Sequence, residues 1–240
     1  MSGPVVVLLP GVGCRAVEFS AQAAALRAAG RRVVPLDLPG HGDEPPVGGT
    51  ATLEAVAAQV ARRVHELGAV DLVGHSTGGV VGLLLAARRP ALLRRLVLVD
   101  SNVPVDAGAL AAKRARAAAV RADGWHEVLV ASMRAAWGER RPELREEVLA
   151  RIAATPGAAV RPLWTDVLEL DPRPLLHAAA VPLLHVRSTR DVDEAGLRAL
   201  NPRAAAADLR RLGAGHWPHL VEPAAVTALL EDFLGARVRG

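Results

Sequence analysis

A serine bracketed by glycines, Gly74-His75-Ser76-Thr77-Gly78, joins the apolar run Ala69-Val70-Asp71-Leu72-Val73 to the longer apolar stretch Gly79 to Ala87. A run of strand length followed at once by one of helix length requires a sharp reversal at the serine. The turn predicts a positive φ at Ser76, at a cost on the order of 1 to 3 kcal/mol, with Gly74 and Gly78 removing side chains where strand and helix cross. It also sets the hydroxyl at the carboxyl end of the strand, above a helix N-terminus. There the dipole and the Thr77 N–H favour a developing negative charge. Glycine and serine also populate ordinary turns, but those do not require strand, hinge and apolar helix in this order.

The alternation extends through the first hundred residues. β-rich runs at Val5 to Leu9, Arg32 to Leu36, Ala69 to Val73 and Leu96 to Val99 are interleaved with helical stretches around Ser20 to Ala29 and Leu53 to Leu67. Strands apolar on both faces predict a mainly parallel, doubly wound α/β sheet covered by helices on both sides, with ligands at the strands' carboxyl ends. From about Ala107 to Leu170 the pattern becomes almost wholly helical, and strand character returns only at Leu183 to Arg187. Residues 103–170 therefore read as a helical insertion into a core formed by 1–102 and 171–240. The insertion holds Trp125, Met133, Trp137 and Trp164, residues that serve either packing or the lining of a pocket beneath a lid. A Leu209-Arg210-Arg211-Leu212 run, a Gly213-Ala214-Gly215-His216 turn and a closing helix from Pro223 to Leu234 complete the chain.

Composition removes several classes. The formal net charge is +4, Lys113 is the only lysine, and the arginines fall in scattered pairs such as Arg31-Arg32, Arg94-Arg95 and Arg210-Arg211. Such pairs predict solvated faces and helix ends. Nucleic-acid binding would need a concentrated basic face with stacking aromatics, and two phenylalanines with no tyrosine do not supply one. The single cysteine, Cys14, excludes an intrachain disulfide and a C-x-x-C metal site and fits a reducing compartment. The run after Met1-Ser2-Gly3-Pro4 lacks signal-peptide character and is too short to span a bilayer, so the expected location is the cytoplasm, without membrane association.

A serine hydroxyl is a weak nucleophile and needs a base oriented by an acid. At such a hinge the chain order is Ser, then Asp or Glu, then His. His216, on a glycine-flanked loop after the last strand signal, is the expected base. His75 adjoins the serine but points away from it, and His219 lies closer to the final helix. Asp191, directly after the strand Leu183 to Arg187, is the expected acid, with Asp193 and the strand-ending Asp100 as rivals.

These segments, with Leu8-Leu9-Pro10-Gly11-Val12-Gly13, Asp37-Leu38-Pro39-Gly40-His41-Gly42 and Gly215-His216, resemble the α/β-hydrolase superfamily. The resemblance is to its cap-bearing group of small esterases, cofactor-free haloperoxidase-like proteins, thioesterases, lactonases and C–C bond hydrolases. It implies a Ser76-His216-Asp191 triad, an oxyanion hole from the N–H groups of Val12 and Thr77, a small acyl substrate, free or carrier-bound, and no metal or organic cofactor. In the family the first segment usually reads His-Gly, and Pro10 replaces that histidine here. The turn after Asp37 is structural, with no chemistry expected of His41. An aspartate-nucleophile branch is excluded by the serine, whereas acyl transfer or cyclisation by the same triad is not.

Two readings come from other classes. Gly11-Val12-Gly13-Cys14-Arg15-Ala16 satisfies G-x-G-x-x-A, and Asp37 stands about where an NAD(P) enzyme holds ribose. Against it, Pro10 and the polar stretch Arg15 to Glu18 delay the helix that should begin at the glycines. An inactive binding protein on the same fold would be expected to show a broken triad.

Overall fold

The computed structural model describes residues 4–235. Among them, β1 (Val5–Leu9), β2 (Arg32–Pro35), β3 (Val70–His75), β4 (Leu93–Val99), β5 (Leu183–Arg187) and β6 (Ala204–Asp208) form one parallel sheet, ordered β2-β1-β3-β4-β5-β6. The four central strands, β1, β3, β4 and β5, are buried on both faces, as the sequence predicts, whereas the edge strands β2 and β6 are partly exposed. Val5, Val7 and Leu9 pack on the side of α2 (Leu53–His65), α3 (Thr77–Arg88) and later α8 (Arg173–Ala178). Val6 and Leu8 pack on the other side, against α1 (Ser20–Ala28) and the closing α11 (Pro223–Gly235). Successive strand residues point to opposite faces, so each run must be apolar throughout.

Between β4 and β5 lie α4 (Ala107–Arg121), α5 (Trp125–Ala136), α6 (Pro142–Ala154) and α7 (Gly157–Glu169), followed by α8. These inserted helices are tied to the sheet layer. Asp166 of α7 accepts from the Leu53 amide at the start of α2, 2.9 Å away, while within the insertion the buried Lys113 of α4 donates to the Leu170 carbonyl after α7, 2.9 Å away. Two smaller helices, α9 (Glu194–Leu200) and α10 (Pro218–Val221), complete the fold.

Two details depart from the sequence reading. β6 is a strand made of Ala204 to Ala207 and Asp208, and alanine carries little strand preference, so parallel pairing with β5 rather than local propensity fixes it. The Arg94-Arg95 pair is not simply a solvated face. Arg95 is buried, and both side chains converge with Arg31 on Asp71, at N···O distances of 3.5 to 3.7 Å. Asp71 is fully buried, so it requires compensating charge.

Strand order reverses at β1, which lies between β2 and β3. Chains of this topology leave a crevice at the carboxyl ends of the strands flanking such a reversal. Pro10-Gly11 leaves β1 there, and His75-Ser76 leaves β3.

Candidate active site

Ser76 has φ 50° and ψ −116° and passes directly into α3. Its amide donates to the Val99 carbonyl (2.9 Å), so the strained residue is fixed at the end of the ladder between β3 and β4. The glycines are required by close approach. A Cβ on Gly78 would strike the carbonyl oxygens of Leu9 and Pro10, and one on Gly74 would strike the backbone of Gly78 and Gly79. The first loop reaches the same point, since a Cβ on Gly11 would stand 3.2 Å from that of Ser76.

His216 Nδ1 lies 2.7 Å from Asp100 Oδ2, with both residues buried. This corrects the acid expected from sequence. Asp191 sits beyond the end of β5 with its side chain 87% exposed, paired with Arg210 at 2.7 Å, and does not meet His216. Asp193 caps α9 by accepting from the Ala195 and Gly196 amides. Asp100 follows β4 immediately, and its own positive φ of 47° turns the carboxylate toward the loop after β5. That loop, where the acid was expected, instead supplies its donors. Oδ1 accepts from the amides of Ser188, Thr189 and Arg190, and Oδ2 from the Thr189 hydroxyl.

Burial alone would raise the Asp100 pKa. The hydrogen bond from His216, with the charges of His216 and Arg190, outweighs it and holds the carboxyl well below the usual carboxylate range. Burial lowers the His216 pKa despite the opposing hydrogen bond to Asp100, leaving the ring neutral near pH 7. Because an ionised Asp100 only accepts, the hydrogen resides on Nδ1 and Nε2 keeps its lone pair.

The loop carrying His216 is held from three sides. His75 Nε2 donates to the His216 carbonyl (2.8 Å), the Ser188 hydroxyl donates to the Gly215 carbonyl (2.6 Å), and the His216 amide donates to the Ala136 carbonyl at the end of α5 (2.8 Å). His75 thus has a positioning role that adjacency in sequence did not reveal. His219 is buried and stacks on Phe19, with ring centroids 4.3 Å apart, and burial pushes its pKa down to about 3.

Ser76, Thr77 and His216 all line one cavity of about 880 Å³, roofed by Met133 and Trp137 from the end of α5 and by Trp164 of α7. Trp125 does not line it and instead packs beneath Arg161, 5.9 Å from its ring centroid. Val12 is buried one residue past Gly11 on the loop beside Ser76. The glycine segment does not meet the needs of a pyrophosphate. A 3₁₀ turn (Ala16–Phe19) follows it, α1 starts only at Ser20, and Asp37 is occupied by the Ala16 amide (2.5 Å) and Arg15 Nε (2.9 Å).

A family model described as "Alpha/beta hydrolase family" matches residues 6–229. The chain belongs to the α/β-hydrolase family. Among curated relatives, it is similar to the sn-1-specific diacylglycerol lipase ABHD11 of Mus musculus, 39% identical over 40% of this chain and 32% of that protein. It is also similar to the pimeloyl-[acyl-carrier protein] methyl ester esterase of a Neisseria meningitidis serogroup C strain, 45% identical over 28% of this chain and 25% of that one. These matches span about a third or less of the relatives' length. Over nearly its whole length this α/β-hydrolase chain is similar to a hydrolase structure from Pseudomonas aeruginosa PA01, with TM-score 0.78 and 26% identity, covering 97% of this chain and 90% of that one. The enol-lactonase of Burkholderia xenovorans LB400 shares the fold, with TM-score 0.78, 23% identity and coverage of 98% and 93%. Among the described residues no helix is long and apolar enough to cross a membrane.

Proposed function

We propose that this chain is a serine hydrolase acting on an acyl ester, thioester or lactone, with Ser76 as nucleophile, His216 as general base and acid, and Asp100 as the orienting carboxylate. The buried 2.7 Å contact between His216 and Asp100, with His216 lining the same cavity as the strained Ser76, carries the reading. The named activities of the ester-cleaving relatives support the reaction class.

The steps follow from the side chains. Nε2 of His216 takes the Ser76 proton as Oγ attacks the acyl carbon, and the imidazolium is stabilised by the Asp100 carboxylate. The tetrahedral oxyanion is assigned to the N–H groups of Thr77, at the start of α3, and Val12, on the neighbouring loop. His216 returns the proton to the departing alcohol or thiol. It then draws a proton from water, which attacks the acyl-enzyme to release the acid and restore Ser76. We read α4 to α7 as a cap whose α5 and α7 side chains shape the acyl pocket. The substrate is a small acyl compound, free or carrier-bound.

The test is a panel of esters, thioesters and lactones assayed with the wild type and Ser76→Ala, alongside a fluorophosphonate probe. Turnover should fall by about three orders of magnitude or more in the variant, and the probe adduct should map to Ser76. Equal labelling and equal turnover in both proteins would refute the assignment.

A further inference from the structure

The cavity over Ser76 is unevenly charged. Arg116, Arg140, Arg190 and Arg211 line it, against a single acidic lining residue, Glu139. Arg140 is neutralised from outside by an ion pair with Glu222. Arg116 and Arg211 are not. Among the described residues no carboxylate forms an ion pair with Arg116 or Arg211. Arg190 shares the Asp100 carboxylate, 3.9 Å from Nε, with the hydrogen bonds that Asp100 accepts from His216 and three backbone amides, so Arg116 is the member of the pair with no carboxylate partner.

Arg116 projects from α4 and Arg190 from the loop after β5. Together with Asn102 and Thr189, both line the main cavity and a smaller recess beside it, which Lys113 and the Arg210-paired Asp191 also line. Each guanidinium raises the cost of charging the other, because two like charges in a partly enclosed space repel more strongly than in bulk water. Arg190 cannot swing freely into solvent, since its side chain is only 24% exposed and Nε lies 3.5 Å from the Asp100 carbonyl. An anion placed between the two relieves that repulsion, and planar guanidinium groups match the paired oxygens of carboxylate and phosphate. The contacts from Arg190 to Asp100 and from Asp100 to His216 keep this corner within a short acyl chain of the reacting centre.

We propose that the substrate of this cavity carries an anionic group, a carboxylate or phosphate, that seats between Arg116 and Arg190 while its acyl carbon lies at Ser76. The inference rests on the serine-hydrolase reading and narrows it to short acyl esters or thioesters with a charged far end. Arg116 and Arg190 are then specificity residues. The apolar roof of Met133, Trp137 and Trp164 covers the methylenes between the two ends.

The experiment compares p-nitrophenyl half-esters of succinate, glutarate and adipate with neutral p-nitrophenyl esters of matched length, and adds a phosphate-terminated ester of the same length. In the wild type, kcat/KM should favour the best anionic ester at least tenfold over its neutral match, mainly through KM, and the preference should shrink in high salt. Arg116→Gln should bring the ratio toward one. Because each variant is its own reference across two substrates, a general loss of fold or chemistry cancels. Arg190→Gln should do the same and will also slow the chemistry through its contact with Asp100. The carboxylate and phosphate arms identify which anion the site takes. A wild-type ratio near or below one, with neutral esters turned over through Ser76, overturns the anion site and leaves the hydrolase reading intact. A ratio that persists in Arg116→Gln also overturns it. Ser76-independent turnover of every ester instead removes the underlying reading.

Discussion

His75 Nε2 lies 2.8 Å from the backbone carbonyl of His216, so the residue before Ser76 holds the loop that carries His216. The His75 ring is buried against His216, Trp217 and His219, with centroids 4.7, 5.8 and 4.5 Å away. The turn at Ser76 and the His216 loop are thereby joined through one imidazole.

Replacing His75 with phenylalanine keeps the volume and strands the His216 carbonyl, at a cost of about 1 to 3 kcal/mol in stability. We expect a lower melting temperature together with a fall in kcat of about tenfold or more, because a small misplacement of the base is expensive. His75→Gln, which retains a donor, should recover much of both. Full activity in His75→Phe would show that the contact does not position His216.

Asp100→Asn should reduce turnover by about four orders of magnitude, since an amide favours the wrong tautomer of His216. Asp191→Asn should stay within about twofold of the wild type, because that side chain lies in solvent beside Arg210. Circular dichroism checks folding, and steady-state kinetics on one activated ester decides the comparison. The reverse ranking would return the acid to the strand-end loop after β5.

The contrast between these two aspartates shows what was legible. Hydrophobic periodicity gave five strands, the doubly wound sheet and the helical stretch after β4, because each is a local pattern repeated over many residues. The turns at Ser76 and His216, the proposed nucleophile and base, were legible from their flanking glycines. Asp100 was harder, since nothing local distinguishes an aspartate that follows β4 from one that follows β5. Its identity is set by which strand end faces His216, a tertiary fact, with its positive φ as the structural mark. β6 was invisible because four alanines resemble a helix. The arginines around the cavity come from α4, the chain after α5, and the loops after β5 and β6, so no spacing in the sequence gathers them.

The pH profile of kcat/KM should show a single acid limb governed by His216. Burial lowers its pKa from 6.5, so the base stays competent below the pH at which free imidazole is half protonated, and activity is lost only on further acidification. Measurement with a neutral ester avoids titration of the substrate. An acid limb with its midpoint above pH 7 would contradict the buried, neutral ring.

Stability should also fall with acid. Burial lowers the pKa of His185 to about 4 and that of His219 to about 3, so below pH 6.5 the unfolded chain binds protons that the folded chain refuses. Each such histidine removes about 1.4 kcal/mol per pH unit until its folded pKa is reached. Glu18 opposes them. Burial raises its pKa to about 7, so between pH 7 and 4.5 the folded state holds the extra proton. His41, His75 and His216 are shifted down as well, so the histidines prevail and the melting temperature should drop from pH 6.5 to 5. Glu18→Gln should make that drop steeper, and a flat or rising profile would contradict the balance.

The cap should be mechanically tied to the catalytic loop. Trp137, just after α5, forms a β-bridge with Gly215, and the His216 amide donates to Ala136 (2.8 Å). The approach is backbone to backbone. A Cβ on Gly138 would strike the Gly213 carbonyl and stand 2.8 Å from the Gly215 nitrogen, with no flexible side chain to yield. Gly138→Ala must therefore push the loop or the cap aside, and a displacement of about 1 Å at His216 costs on the order of a hundredfold in kcat. Gly48→Ala is the control, because a Cβ there meets nothing within 4 Å. Fluorophosphonate labelling rates for both variants separate loop displacement from altered substrate binding, since the probe needs Ser76 and His216 but little of the acyl pocket. Slow labelling in Gly138→Ala alone places the coupling at the bridge. Equal labelling and equal kcat in both variants would show that the cap and the histidine loop move independently.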